Sequence, residues 1–209
     1  MAFRIPKVYP ITDALLSGLS HAEQIRRLIA GGASLIQLRE KQLAPREFYR
    51  EAVIALETAR AHQAQLIIND RVDIALAIGA DGVHLGQTDC PPEAARKLLG
   101  DDAIIGLSTH NIEQARLAST LPLDYLAVGP IFRTSTKRGP DPALGLDGLS
   151  RIRAVVENIP VVAIGGINLN NAREVLNAGA DSIALIAGLL MESTEITLRM
   201  RGMLVLAQK

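Results

Sequence analysis

A single cysteine, Cys90, occurs among the 209 residues, which excludes an internal disulfide. Neither sign of charge is in excess, since 22 Lys and Arg balance 22 Asp and Glu. The overall basic field typical of nucleic-acid binders is therefore missing, and no DNA- or RNA-reading motif is present, so a nucleic-acid partner is not expected. No apolar run approaches the ~18 residues of a membrane-crossing helix. The opening residues MAFRIPKVYPITD contain no apolar segment of the kind a secretory signal carries, which makes the cytoplasm the expected location. There is no linker and no low-complexity segment, so residues 1–209 are expected to form one domain. The composition, 48% hydrophobic and 21% charged, is ample for a sizeable core.

Short β-type runs alternate with longer amphipathic ones along the whole chain. The strand candidates are residues 7–12, 34–39, 65–69, 82–86, 103–108, 125–130, 161–166 and 182–187. Between them lie helical periods such as HAEQIRRLIAGG, PPEAARKLLG and NNAREVLNAG, several ending in glycine as helix C-termini prefer. A weak repeat, GGASLIQLRE at 31, GADGVHLGQ at 79 and GADSIALIAG at 179, passes each time from a glycine-ended helix into a buried strand. This alternation predicts an α/β chain folded as a single-domain (β/α)8 TIM barrel. An open doubly wound sheet would usually carry a glycine-rich turn after its first strand, and PITDALLSG has none.

In such a barrel the chemistry sits at the C-terminal ends of the strands. The second strand ends in Gln37, Leu38, Arg39, Glu40 and Lys41, and period-two alternation puts Gln37, Arg39 and Lys41 on one face. The plainer alternative is a surface charge run in which Glu40 pairs with its neighbours. Asn69 and Asp70 close the third strand, and Asp89 follows the fourth. Either carboxylate taken alone could be a helix N-cap. As a pair beside two cations they suit Mg²⁺, which commonly takes one or two protein carboxylates and fills its shell with water and phosphate oxygens. Zinc is not expected, because His84 and Cys90 lack ligand spacing, and His84 reads as a hydrogen-bonded structural histidine. Gly165, Gly166 and the turn at Ile186, Ala187 and Gly188 fall where this fold recurrently binds phosphate.

One segment, GPIFRTSTKRGP at 129–140, is rich in hydroxyls and cations and longer than an ordinary β-to-α loop, which suggests a lid. Taken in order, QLREK, NDRVD, GVHLGQTD, the Ser-Thr pair at 108, GPIFRTSTK and AIGGI resemble the thiamine phosphate synthase family over nearly the whole chain. The resemblance implies a Mg²⁺-dependent transferase that joins 4-amino-2-methyl-5-(diphosphooxymethyl)pyrimidine to a thiazole phosphate, giving thiamine phosphate and diphosphate. It assigns Gln37, Arg39, Lys41, Asn69, Ser108 and Lys137 to the pyrimidine diphosphate, with Arg39, Lys41 and Lys137 stabilising the departing charge. Asp70 and Asp89 fall to the metal. Thr134, Thr136, Gly166, Ile186 and Ala187 fall to the thiazole phosphate. At Ala187 the chain departs from the family, which commonly has a serine there. The rival expectations are a thiazole tautomerase on the same barrel and a non-catalytic homologue, and the cationic and acidic positions argue against both. The expected partners are the two small-molecule substrates; no sequence signal specifies a partner chain, so a homo-oligomer stays open.

Overall fold

The computed structural model describes residues 3–134 and 141–208. It contains eight strands, β1 (Val8–Pro10), β2 (Leu35–Leu38), β3 (Gln65–Asn69), β4 (Gly82–Leu85), β5 (Ile104–Thr109), β6 (Tyr125–Val128), β7 (Val161–Ile164) and β8 (Ser182–Leu185). All pair in parallel, in the order β1-β8-β7-β6-β5-β4-β3-β2. The ring closes just past the end of β1, where Ile11 bridges Gln37 and the Thr12 amide donates to the Gln37 carbonyl at 2.8 Å. Helices alternate with the strands, so the expected (β/α)8 barrel is the fold.

The local causes are those read from the pattern. Pro45 opens the helix Pro45–Arg60, whose buried residues Phe48, Ala52, Ala55, Leu56 and Ala59 recur at helical spacing and form one apolar stripe. Strand residues alternate between two cores. Ile36, Leu38, Leu66, Ile68, Val83 and Leu85 face outward into the layer shared with the helices. Tyr9, Leu35, Ile67, Ile104, Tyr125, Ala127, Val162 and Ala184 face inward and plug the barrel. Each fully buried Leu or Ile contributes roughly 1.5–3 kcal/mol relative to exposure, so neither layer can be exchanged for the other by a one-residue slip.

Several strands end earlier than the hydropathy implies. Runs read as 82–86, 125–130, 161–166 and 182–187 pair only as far as Leu85, Val128, Ile164 and Leu185. Their last apolar or glycine residues leave the ladder to build the mouth of the barrel. The Gly86 amide, for example, donates to Asp89 Oδ2 at 2.7 Å. The helix that follows β6 runs from Gly145 to Val155, and φ at Gly145 is +67°.

Candidate active site

The C-terminal mouth opens into a cavity of about 540 Å³. Its walls bring together Gln37, Arg39, Lys41, Asn69, Asp70, Asp89 and Ser108 on one side, and Thr134, Gly166, Ile186 and Ala187 on the other. Thr136 and Lys137 lie outside the described residues, as does the second half, 135–140, of the segment read as a lid.

The cations of the β2 end do not point freely into the cavity. Arg39 Nη1 donates to Asp13 Oδ2 at 2.7 Å, with both side chains largely buried, and Lys41 Nζ pairs with Asp70 Oδ2. Between them Glu40 turns away from solvent. His21 Nε2 donates to Glu40 Oε2 at 3.1 Å, and His21 Nδ1 lies 2.8 Å from the Thr12 hydroxyl. The amides of Gln42 and Leu43 donate to Glu40 Oε1. Burial pushes the Glu40 carboxyl up, but the Gln42 amide, His21 and the Leu43 amide together hold it below the usual carboxylate range. The plainer expectation of a surface charge run is therefore overturned: Glu40 ties down the loop that carries Lys41.

Neither acidic residue at the mouth caps a helix. The helix Val72–Ile78 has Arg71 at its N-cap, and Pro92–Leu99 has Pro91, in both cases without a side-chain capping bond. Asp70 instead adopts φ +62°, a left-handed conformation uncommon outside glycine, asparagine and aspartate, and its amide donates to the His84 carbonyl at 2.8 Å. Burial pushes the Asp89 carboxyl up; the Gly86 amide offsets part of this, while the adjacent Asp70 carboxylate adds to it. Two carboxyl groups thus face one another with Lys41 as a nearby cation. Among the described residues no group of three or more His, Cys, Asp or Glu is arranged to hold a metal ion.

Beneath them His84 is buried and fully hydrogen-bonded, its Nδ1 2.9 Å from Tyr125 OH and its Nε2 2.8 Å from Ser108 Oγ. Burial pushes its pKa down to about 4, Asp89 opposing and Lys41 assisting, so the ring is neutral near pH 7. Asn69 Nδ2 is buried with no partner among the described residues, and Asn69 lines the same cavity. Across the ring, Gly165 and Gly166 turn at φ +104° and +66°, and a Cβ on Gly165 would come within 2.6 Å of Pro130. Only glycine fits that turn, which leaves its backbone bare toward the cavity. Asp13, His21 and the tyrosines at 9 and 125 escaped the sequence reading, and only their long-range partners reveal them.

Comparison with known proteins decides the family. A family model described as thiamine monophosphate synthase matches residues 8–189. The chain belongs to that family. Thiamine-phosphate synthase of Clostridium novyi is 49% identical over 185 residues, covering 88% of this chain and 90% of that protein. Its counterpart in Koribacter versatilis is 44% identical over 196 residues, covering 90% and 91%. Among solved structures, thiamine phosphate pyrophosphorylase from Pyrococcus furiosus superposes with a TM-score of 0.86 at 38% identity, covering 97% of this chain and 95% of that one. The family match spans β1 through β8, and every described mouth residue named above falls within that span. Among the described residues no helix is long and apolar enough to cross a membrane.

Proposed function

We propose that the protein is a thiamine phosphate synthase of the cytoplasm, joining the pyrimidine diphosphate to the thiazole phosphate with release of diphosphate. The observation that carries the reading is the pair Asp70 and Asp89 beside Lys41 on one wall of a cavity whose far wall is the bare glycine turn at 165 and 166. One wall suits a diphosphate with its cation, the other a monophosphate.

The donor set fits Mg²⁺. Two hard carboxylate oxygen donors lie together, the Asp89 carboxyl raised by burial and by Asp70, and among the described residues no third His, Cys, Asp or Glu joins them. Asp70 and Asp89 would hold the ion, in keeping with the one or two carboxylates Mg²⁺ commonly takes from protein. When bound, Mg²⁺ would neutralise charge developing on the departing diphosphate.

The residues then divide the work. Lys41 and Arg39 meet the diphosphate oxygens, exchanging their present carboxylate partners for substrate, and Lys137 is expected to join them. Asn69, Gln37 and Ser108 hold the pyrimidine. Thr134, Thr136, Gly166, Ile186 and Ala187 receive the thiazole phosphate. The bond from the pyrimidine methylene to the diphosphate oxygen breaks with its electron pair leaving on diphosphate. The thiazole nitrogen lone pair forms the new carbon–nitrogen bond, so no covalent enzyme intermediate is needed. Holding two substrates in register removes much of the entropic barrier, and fixed cations stabilise the charge that develops.

Purified protein incubated with both substrates and Mg²⁺ should form thiamine phosphate and diphosphate in equal amounts. Isomerisation of the thiazole phosphate without diphosphate release, or binding without turnover, would overturn the reading. A finer test concerns the residue that departs from the family. Ala187→Ser adds a hydroxyl at the phosphate turn and should lower KM for the thiazole phosphate by a few-fold to roughly tenfold, the range of one net hydrogen bond. KM for the pyrimidine diphosphate should stay nearly unchanged. An equal fall in both would count against placing this turn at the thiazole phosphate.

A further inference from the structure

Three buried residues beneath the mouth, Tyr9 on β1, Tyr125 on β6 and His84 on β4, have no part in the roles assigned above. Their polar atoms nonetheless form an unbroken line between two residues that do. Gln37 Nε2 lies 3.2 Å from Tyr9 OH, which lies 3.0 Å from Tyr125 OH. Tyr125 OH is 2.9 Å from His84 Nδ1, and His84 Nε2 is 2.8 Å from Ser108 Oγ. The rings hold this line in place, Tyr9 edge-on to Tyr125 at 5.7 Å and His84 stacked on Tyr125 at 5.6 Å.

Each phenol has one proton to give, and this makes the line directional. Tyr9 accepts from the Gln37 amide, so its own proton goes to Tyr125. Tyr125, accepting from Tyr9, gives its proton to His84 Nδ1. A ring that accepts at Nδ1 carries its proton on Nε2, and that N–H donates to Ser108 Oγ. Reversing the Tyr9–Tyr125 or the Tyr125–His84 bond alone would leave a buried hydroxyl proton without an acceptor, and reversing the His84–Ser108 bond alone would leave the imidazole with no N–H; Tyr9, Tyr125 and His84 are 1%, 0% and 8% exposed.

We propose that this chain sets the hydrogen-bonding polarity of the barrel floor and so selects an aminopyrimidine over its oxo counterpart. Ser108 accepts from His84 and turns its O–H toward the cavity as a donor. Gln37 gives an amide N–H inward and keeps Oε1 as an acceptor. A 4-aminopyrimidine offers accepting ring nitrogens and a donating exocyclic amine; the 4-oxo compound replaces these at positions 3 and 4 with an N–H donor and a carbonyl acceptor. Tyr9, Tyr125 and His84 are positioning residues in this scheme, and the inference rests on the reading of Gln37 and Ser108 as pyrimidine contacts.

The test combines ¹⁵N NMR of His84 in the wild-type protein with calorimetric titration of the pyrimidine diphosphate and its 4-oxo analogue, both with Mg²⁺. His84 should be the neutral Nε2–H tautomer, and the amino compound should bind about tenfold or more tightly than the oxo compound. Tyr125→Phe cuts the line while keeping the stacked ring, and should lose most of that preference without changing affinity for the thiazole phosphate. An Nδ1–H tautomer in the wild type overturns the proposal, as does an unchanged preference in Tyr125→Phe with native circular dichroism. Should that variant fail to fold, the wild-type tautomer and preference still decide. Ser108→Ala separates the two levels of the argument. If it leaves pyrimidine diphosphate affinity intact, the site reading and this proposal fall together. If it weakens binding while Tyr125→Phe keeps the preference, the proposal fails alone.

Discussion

Asp89→Asn should abolish nearly all turnover, by at least ~100-fold, while the protein stays folded and melts no lower than the wild type. The reasoning starts from the carboxyl itself. Burial and the adjacent Asp70 carboxylate raise its pKa above the ordinary value, with the Gly86 amide only partly compensating. A carboxyl whose folded pKa is raised destabilises the fold once pH exceeds its unfolded pKa, and a neutral amide removes that penalty. An amide oxygen, however, cannot replace a carboxylate in holding a divalent cation against diphosphate. The Gly86 amide bond to the side chain at 89 survives, because the asparagine carbonyl can accept it. A readout independent of turnover is available. Mg²⁺ with diphosphate should raise the melting temperature of the wild type through binding to the native state, and should do so much less in the variant. Full activity in Asp89→Asn would return this residue to a purely structural role in the 86–89 turn.

Gly106→Ala is the second change with a large expected effect, this time on stability. Gly106 sits mid-strand in β5 with Tyr125 as its register partner on β6, and a Cβ there would fall into the Tyr125 ring. The ring cannot retreat easily, because Tyr9 and His84 hold its other sides. Overpacking of this kind costs about 2–3 kcal/mol. For a chain of this size that corresponds to a fall in melting temperature of roughly 4–12 °C. Displacing the ring would also break the hydrogen-bond line to His84, so pyrimidine affinity should fall with it. Combining Gly106→Ala with Tyr125→Leu should cost less than the sum of the two single changes, since the second makes room for the first. A melting temperature equal to the wild type would show that the barrel floor is not tightly filled.

Much of the molecule was legible from local pattern. Side-chain periods of 2 and 3.6 depend on the backbone alone, so the eight strand candidates and the helices between them follow from neighbouring residues. The same local rule put Gln37, Arg39 and Lys41 on one face, and the fold's habit of working at strand C-termini pointed to Asn69, Asp70, Asp89 and the turns at 166 and 187, while the family resemblance added Ser108. All these residues line one cavity.

What the tertiary structure alone decided are the partners, because hydrogen bonds and ion pairs form between groups that chain closure brings together from distant positions. Arg39 is held by Asp13, 26 residues away, and Glu40 by His21, 19 residues away. Tyr9 meets Tyr125 across a separation of 116 residues. Strand ends likewise depended on which backbone groups found partners rather than on hydropathy, so Gly86 and the glycines at 165 and 166 left the ladder for the mouth. The sequence by itself determined the barrel and the kinds of residue at its mouth, because those rest on short-range periodicity. Only the closed ring determined which carboxylate neutralises which cation and which polar atoms line up along the floor, because those depend on distance and burial that no local pattern encodes.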